Sequence, residues 1–370
     1  MTAPHGAQFR PLSLPSSMKG PDAEEFREFT RVRNAVYREI SGSDNDALTP
    51  EELLPFYQPT PEEIRHIWVV LVDGRIVGRV GVDIPLEEGS RGVFWLIELL
   101  EAVQGRGIGT AAYALVEETA RSHGRTVLQS WAQHPDAPGP RLTPPTGFGS
   151  IPEDRVARFY LRNGYTLEQI ERESAFELRG WDDEAVDGEA SGATVARLLA
   201  DATAAATGYR VMQWQVPTPP EHVAGYAWMK SRMSTDTPMG ALEFDDEVWD
   251  AARVERHDLK ATSGGRTMLV TAAQHIDTGD LVAFNELVIG SDATGASHQE
   301  DTLVLREHRG HRLGMLVKCA GLQTWHSRIA PHSPRVITYN AEENRPMLDI
   351  NEAIGFVPIA YNGAWKKVLT

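Results

Sequence analysis

Leu99-Leu100-Glu101-Ala102-Val103-Gln104-Gly105-Arg106-Gly107-Ile108-Gly109 is the stretch on which the fold turns. A strand-like apolar run leads into it, a glycine-rich turn closes it, and the spacing beyond predicts a helix from Thr110 to His123. Such turns are anion sites. The N–H groups of the first helical turn have no partner within the helix, and the helix dipole adds about half a positive charge there. Gly105, Gly107 and Gly109 let the backbone approach a phosphate, and Gln104 and Arg106 add side-chain donors. Residues 104–110, from Gln104 through Ile108 to Thr110, are therefore expected to hold a diphosphate; a plain helix entry is the alternative on this stretch alone. No Gly-x-x-x-x-Gly-Lys-Ser/Thr occurs, which excludes a P-loop, and the third-glycine spacing and βαβ setting of a dinucleotide fingerprint are missing.

The stretch recurs. Val304-Leu305-Arg306-Glu307-His308-Arg309-Gly310-His311-Arg312-Leu313-Gly314 has the same layout, displaced by 205 residues (309 − 104), with a helix predicted over Met315–Ser327. Further on, Ala157-Arg158-Phe159-Tyr160-Leu161-Arg162-Asn163-Gly164-Tyr165 matches Leu348-Asp349-Ile350-Asn351-Glu352-Ala353-Ile354-Gly355-Phe356 at an offset of 191 (355 − 164). Both read as an amphipathic helix stopped by glycine before an aromatic that opens a strand. The 14 extra residues of the first copy (205 − 191) fall in the Pro- and Gly-rich loop His134–Pro152. The acidic, aperiodic run Trp181–Ser191 reads as a linker and Thr194–Ala206 as an Ala-rich helix stopped by Gly208. The expected organisation is a first domain over 1–180, a linker and connecting helix over 181–208, and a second domain over 209–370.

Around these motifs the first copy is predicted to have a helix at Glu24–Ile40 and strands at Ile67–Val72, Arg75–Asp83, Val93–Leu100 and Thr126–Gln133, with Asp73-Gly74 as a hairpin turn. The second is predicted to have strands at Tyr209–Gln215, Thr267–His275, Leu281–Ile289, Asp301–Arg306 and Val336–Asn340, with helices at Pro220–Met233 and Asp245–Lys260. The fold class is α+β: two tandem domains, each a mixed, mainly antiparallel sheet flanked by helices.

Composition bounds the partners. Acidic residues outnumber basic ones 52 to 36, against a general affinity for nucleic acid. One cysteine, Cys319, allows no internal disulfide, and it sits mid-helix as an expected buried, inert thiol. The first ten residues lack a signal-peptide pattern and no apolar run approaches the roughly 20 residues that span a bilayer, so a cytoplasmic protein without membrane partners is expected, as monomer or homodimer. His308 and His311 have ligand-like spacing, but beside Arg309 and Arg312 they fit a phosphate-facing basic cluster better than a metal site. Trp68, Trp95 and Trp131 fall in predicted strands and Trp228, Trp249 and Trp325 in predicted helices; core packing is the default reading, with lining of an acceptor pocket by some of them as the alternative.

The order Gln/Arg-x-x-Gly-x-Gly/Ala, helix, strand, Ala-x-Phe-Tyr-x-x-x-Gly-Phe/Tyr resembles the GNAT superfamily of N-acetyltransferases. The first copy has both signatures, Gln104-x-x-Gly107-x-Gly109 and Ala157-x-Phe159-Tyr160-x-x-x-Gly164-Tyr165. The second keeps Arg309 and Gly314 but has Arg312 at the central glycine, and its second half is similar to actinobacterial double-domain GNAT proteins. The resemblance implies acetyl-CoA as cosubstrate and no metal. The diphosphate would lie on residues 104–110, the backbone near Leu99 would orient the pantetheine arm, and an amine would attack the thioester directly. Tyr160 would protonate the departing sulfur, or else is a core aromatic; Asn351, at its place in the second copy, cannot act as an acid at neutral pH. Val304, Arg309, Gly310, His311, Arg312 and Gly314 are the matching second-copy positions. Glu98 and Glu286 are candidate bases, or salt-bridged strand carboxylates, and His134 is a looser candidate. The expected reaction is N-acetylation of a small-molecule amine, with the N-terminal domain favoured; a C-terminal active domain, as in mycothiol synthase, and a non-catalytic acyl-CoA-binding module are the alternatives.

Overall fold

The structure, a computed structural model, describes residues 6–183 and 190–369. Most of the predicted linker at 181–191, residues 184–189, lies outside the described residues. In chain order the elements are β1 (Gln8–Pro11), α1 (Glu24–Ser41), α2 (Pro50–Leu53), β2 (Glu63–Val72), β3 (Arg75–Pro85), β4 (Gly92–Leu99), α3 (Ile108–Ser122), β5 (Val127–Gln133), β6 (Arg141–Leu142), β7 (Ile151–Pro152), α4 (Arg155–Arg162), β8 (Thr166–Glu177), α5 (Ser191–Ala205), β9 (Tyr209–Gln215), α6 (Pro220–Asp236), α7 (Ala251–Thr262), β10 (Thr267–His275), β11 (Leu281–Ile289), β12 (Ser297–Val304), α8 (Leu313–Thr324), β13 (Arg335–Ala341), α9 (Arg345–Ile354) and β14 (Val357–Val368).

Contacts divide the chain into two compact units. The first comprises Met1–Glu171 together with two distant pieces, Met239–Asp245 and Ala360–Thr370; the second comprises Arg172–Pro238 and Asp246–Ile359.

In the first unit β1 to β4 form an antiparallel meander, and β5 joins β4 in parallel. Asp73 and Gly74 both take positive φ, the geometry of a two-residue hairpin whose twist matches its strands. Gly78 has no room for a side chain, since a Cβ there would stand 2.2 Å from the Glu98 carbonyl oxygen, and this lets β3 and β4 close up. Residues 362–368 of β14 complete the sheet against β5, from Asn362 opposite Gln133 to Val368 opposite Val127. The greater part of the last strand, from Ala360 onward, thus belongs to the first unit.

The second unit repeats the plan. β9, β10, β11 and β12 are antiparallel, and β13 joins β12 in parallel. Three predictions need correction. The acid run Asp245-Asp246-Glu247 resembles a first helical turn, but α7 starts at Ala251, where Asp250 caps it by accepting from the Arg253 N–H at 2.8 Å. Trp249 therefore precedes the helix. β12 begins at Ser297, four residues before the predicted Asp301, on polar residues that hide the strand. Trp228 is 58% exposed and packs no core.

Candidate functional site

Both glycine-rich stretches fold alike. After β4 a single 3-10 turn leads to Gln104 at φ −70, ψ 160, and after β12 the same turn leads to Arg309 at φ −70, ψ 158. Gln104 Nε2 donates to the Leu99 carbonyl at 2.7 Å, and Arg309 Nε donates to the Val304 carbonyl at 3.2 Å, each bridging back five residues to the end of its strand. Gly105 and Gly310 have φ +75 and +91. The cap of α3 is Gly107 at φ 78, ψ −1; the cap of α8 is Arg312 at φ 54, ψ 25. The arginine holds the left-handed backbone that glycine takes without strain. Ile108 and Leu313 are buried plugs at 1% exposure, so each first helical turn is anchored while its flanking Arg106, Thr110, Gly310, His311 and Arg312 are exposed. Gly109 has room for a Cβ, 3.8 Å from Phe159, whereas one at Gly314 would stand 2.9 Å from Ile350.

Above each turn the parallel strands part. β4 and β5 pair only from Gly92 opposite Val127 to Phe94 opposite Gln129, and β12 and β13 only at Ser297–Val336 and His298–Ile337. The rest of each strand runs unpaired with its parallel neighbour, leaving a split that opens towards the helix mouth. A split of this kind offers backbone N–H and C=O groups to an extended chain laid between the strands.

The splits are lined differently. In the first unit alternation along β4 sends Val93, Trp95 and Leu99 into a core with Tyr113, Tyr160, Tyr165 and Trp365. Tyr160 lies face to face on Trp365, with centroids 4.8 Å apart and planes 3° apart, and its hydroxyl meets Ser130 Oγ at 2.8 Å. Burial, partly offset by Ser130, pushes its phenol well above the usual range. His134 is buried beside them. The Trp365 indole N–H donates to its Nε2 at 3.4 Å, so Nδ1 carries the proton given to Asp154 at 3.1 Å. Asp154 also caps α4 through the Ala157 N–H. Burial opposes ionisation of Asp154, but these hydrogen bonds outweigh it and hold the carboxyl below its ordinary value.

Glu98 points to the opposite face of that sheet. Both its oxygens are taken by Arg79, at 2.6 and 2.9 Å, and Arg79 also reaches Tyr57 and Tyr37. Glu98 and Tyr160, proposed from sequence as base and acid, are thus held on opposite sides of β4. On the Glu98 face the distant segment Met239–Asp245 lies over the closed end of the split. Gln129 exchanges two 2.7 Å hydrogen bonds with the Glu243 backbone, Arg91 and Lys366 pair with the Glu243 carboxylate at 2.7 and 2.9 Å, and the Phe244 ring covers Phe94 and Trp131 at 5.6 and 6.0 Å.

The second unit buries polar groups where the first has rings. At the places of Tyr113 and Tyr160 stand Lys318 and Asn351, exposed 0% and 1%. Lys318 Nζ donates to Asn351 Oδ1 at 2.8 Å, and Asn351 Nδ2 donates to Asn340 Oδ1 at 2.7 Å. Burial pushes the Lys318 amine down to about 7, with Cys319 opposing slightly. Cys319 is itself buried and pushed up to about 12, an inert thiol as predicted. On the other face Glu286 is locked: Tyr226 donates to it, Lys230 approaches at 3.2 Å, and Lys230 also pairs with Asp301 at 2.5 Å. Burial raises the Glu286 carboxyl despite Lys230. Asp301, on β12 and 38% exposed at its side chain, is the carboxylate of this network that meets solvent.

Sequence reasoning found both turns and the Tyr160–Asn351 correspondence. It missed Lys318, although a lone lysine inside Met315-Leu316-Val317-Lys318-Cys319-Ala320 was a legible signal. Arg79 and Asp301 carried no local mark. Among the described residues no cluster of side chains could hold a metal ion, and no helix is long and apolar enough to cross a membrane.

Residues 30–139 match the acetyltransferase (GNAT) family, so the chain contains a GNAT acetyltransferase domain. A tandem GNAT protein from the clavulanic acid biosynthesis pathway, solved without AcCoA, shares its fold at a TM-score of 0.71 and 23% identity, with 98% of each chain covered. A GCN5-related N-acetyltransferase from Sphaerobacter thermophilus does so at 0.62 and 15%, over 99% of this chain and 97% of the other. At these identities the likeness is one of fold alone, the tandem GNAT fold. No curated protein matches the sequence.

Proposed function

We propose that the chain moves an acetyl group from acetyl-CoA to an amine of a small molecule by direct attack on the thioester, and that the second unit performs the transfer. The observation that carries the reading is the pairing of an open anion-binding helix mouth with a split between parallel strands, which suits a diphosphate followed by an extended pantetheine arm. In the first unit Gln104, Gly105, Arg106, Gly107, Ile108, Gly109 and Thr110 would hold the diphosphate and Leu99 the arm; in the second, Arg309, Gly310, His311, Arg312 and Gly314 take that role, with Val304 for the arm and Asn351 beside the sulfur.

The sequence favours the first unit, on Gly107 and Tyr160. Two features of the structure favour the second. Phe244 and its segment lie over the closed end of the first split, on the Glu98 face, and Arg79 occupies both oxygens of Glu98. In the second unit Asp301 keeps a carboxylate at the surface, able to take the amine's proton directly or through water.

Reversing charge at one mouth at a time tests this. Arg312→Glu should lower thiol release from acetyl-CoA with a panel of amines by at least tenfold. Gly109→Asp, at a position with room for a Cβ, should weaken acetyl-CoA binding in the first unit only, and Tyr160→Phe should leave thiol release within about twofold, because its hydroxyl serves packing. Thiol release that survives Arg312→Glu but is lost with Tyr160→Phe would return the chemistry to the first unit.

A further inference from the structure

Lys318 is the least explained charge in the second unit. It is fully buried, and its one hydrogen-bond partner among the described residues is a neutral amide, Asn351. Arg79, also buried, is paired with Glu98, and buried Lys230 has two carboxylates, Glu286 and Asp301. An ammonium taken out of water without an anion is costly: it gives up its proton, or negative charge placed beside it keeps it ionised. The hydrogen bonds show where such a charge would sit. Lys318 holds the Asn351 carbonyl oxygen, which forces the Asn351 amide nitrogen to face the other way, towards Asn340. Asn340 lies on β13 beyond its last ladder pair with β12, at Ile337, and so stands at the split between the strands. The chain Lys318–Asn351–Asn340 runs from the interior to the edge of the split.

We propose that Lys318, acting through Asn351, is the positioning residue that stabilises the coenzyme's thiolate as it leaves in the second unit. This rests on the reading that the second unit binds acyl-CoA with its sulfur at Asn351. When the tetrahedral adduct of amine and thioester collapses, the carbon–sulfur bond breaks and its electron pair goes to sulfur. Asn351 Nδ2 donates to that sulfur, and the Lys318 charge behind the amide favours the anion. The proton lost by the acceptor nitrogen passes to Asp301 or water, and the thiolate takes a proton from solvent on release, so the products are the amide and CoA-SH. A phenol such as Tyr160 gives up a proton; an amide backed by a cation gives up none and lowers the sulfur's basicity instead. The two units therefore hold a leaving thiolate by different means.

Free CoA supplies the probe, and thiolate absorbance in the ultraviolet reports its ionisation. In the full-length chain, CoA bound to the second unit should ionise about one to two pH units below free CoA. Lys318→Met should return it to the free value while calorimetry shows CoA still bound. Asn351→Asp, which sets a carboxylate between cation and sulfur, should do the same, and it carries the test if Lys318→Met does not fold. Wild-type bound CoA that titrates like free CoA, or a shift that survives both substitutions, overturns the proposal. Arg312→Glu separates the underlying reading: if it leaves the number of bound CoA molecules unchanged, the second unit is not the acyl-CoA site, and the Lys318 role falls with it for that distinct reason.

Discussion

At the first helix mouth a glycine holds the left-handed turn and a stack of aromatic rings lies behind it; at the second an arginine holds the same turn and a buried lysine lies behind it. The backbone course is the same, both caps lying in the left-handed region and about 25° apart in φ and ψ (78 − 54 and 25 − (−1)), so the difference is chemical. The first arrangement is rich in dispersion contacts and poor in charge. The second accepts strain at Arg312 and desolvation at Lys318, and both put positive charge along the path proposed for the coenzyme. A pair of units built on one plan has divided its investment, one towards packing and one towards polarity.

The largest effect should come from breaking the packed side. Trp365 is fully buried, stacks on Tyr160, and donates to His134. Trp365→Ala should destabilise the first unit by about 3–5 kcal/mol, from the cavity and from an imidazole left without its donor. Two transitions in urea, with only one moved, would show that the damage stays in the first unit; a shift of both equally would show that the units unfold as one.

Next in size is the polar side. Lys318 has a folded value near 7 against an ordinary 10.5. Between those values the unfolded chain binds more protons than the folded one, so stability rises with pH across the window; the penalty is complete below about 7 and gone above about 10.5. Lys318→Met should remove that slope. At neutral pH it should stabilise the second unit by roughly 2–4 kcal/mol, the relief of desolvation less the cost of leaving the Asn351 oxygen unpaired. Thermal midpoints measured at neutral and alkaline pH check both sign and slope. A midpoint that falls on substitution would mean that the lysine stabilises its surroundings, and the contrast between the units would lose its energetic basis.

What the sequence disclosed follows from the range of the interactions involved. The Asp73-Gly74 hairpin, the two glycine-rich turns and the strands around them are local: residue type sets φ and ψ within a few positions, and the repeat at 205 residues doubles the signal. Tyr160 was legible as a candidate because its helix carries its own stop, Gly164 at φ +79. Its surroundings were not. Trp365 arrives from the far end of the chain, and Phe244 from a short segment with no periodicity of its own, so nothing near Tyr160 or Phe94 announces either. Glu98 and Glu286 were read as possible bases because strand carboxylates look alike in sequence; Arg79 and Lys230, which engage them, lie 19 and 56 residues away. Strand pairing and helix packing decide such meetings, and a one-dimensional pattern carries them only weakly.

The smallest effect makes the sharpest comparison, because it exchanges one residue type between the two caps. Arg312→Gly removes a left-handed non-glycine residue, a strain of roughly 1–2 kcal/mol, but gives the unfolded chain more freedom, so the net gain should be no more than about 1 kcal/mol. Gly107→Arg imposes the strain on the first mouth, where φ is already +78, and should cost about 1–2 kcal/mol. Coenzyme affinity should move the other way in both cases. The second mouth loses an exposed cation and binds CoA more weakly, by a margin that shrinks as salt rises; the first gains one and binds more tightly at low salt. Measured together by calorimetry and thermal unfolding, the two substitutions ask whether Arg312 is kept for its charge. If Arg312→Gly leaves affinity unchanged at every ionic strength while raising stability, the arginine contributes strain alone, and the two mouths differ in their caps without differing in what they bind.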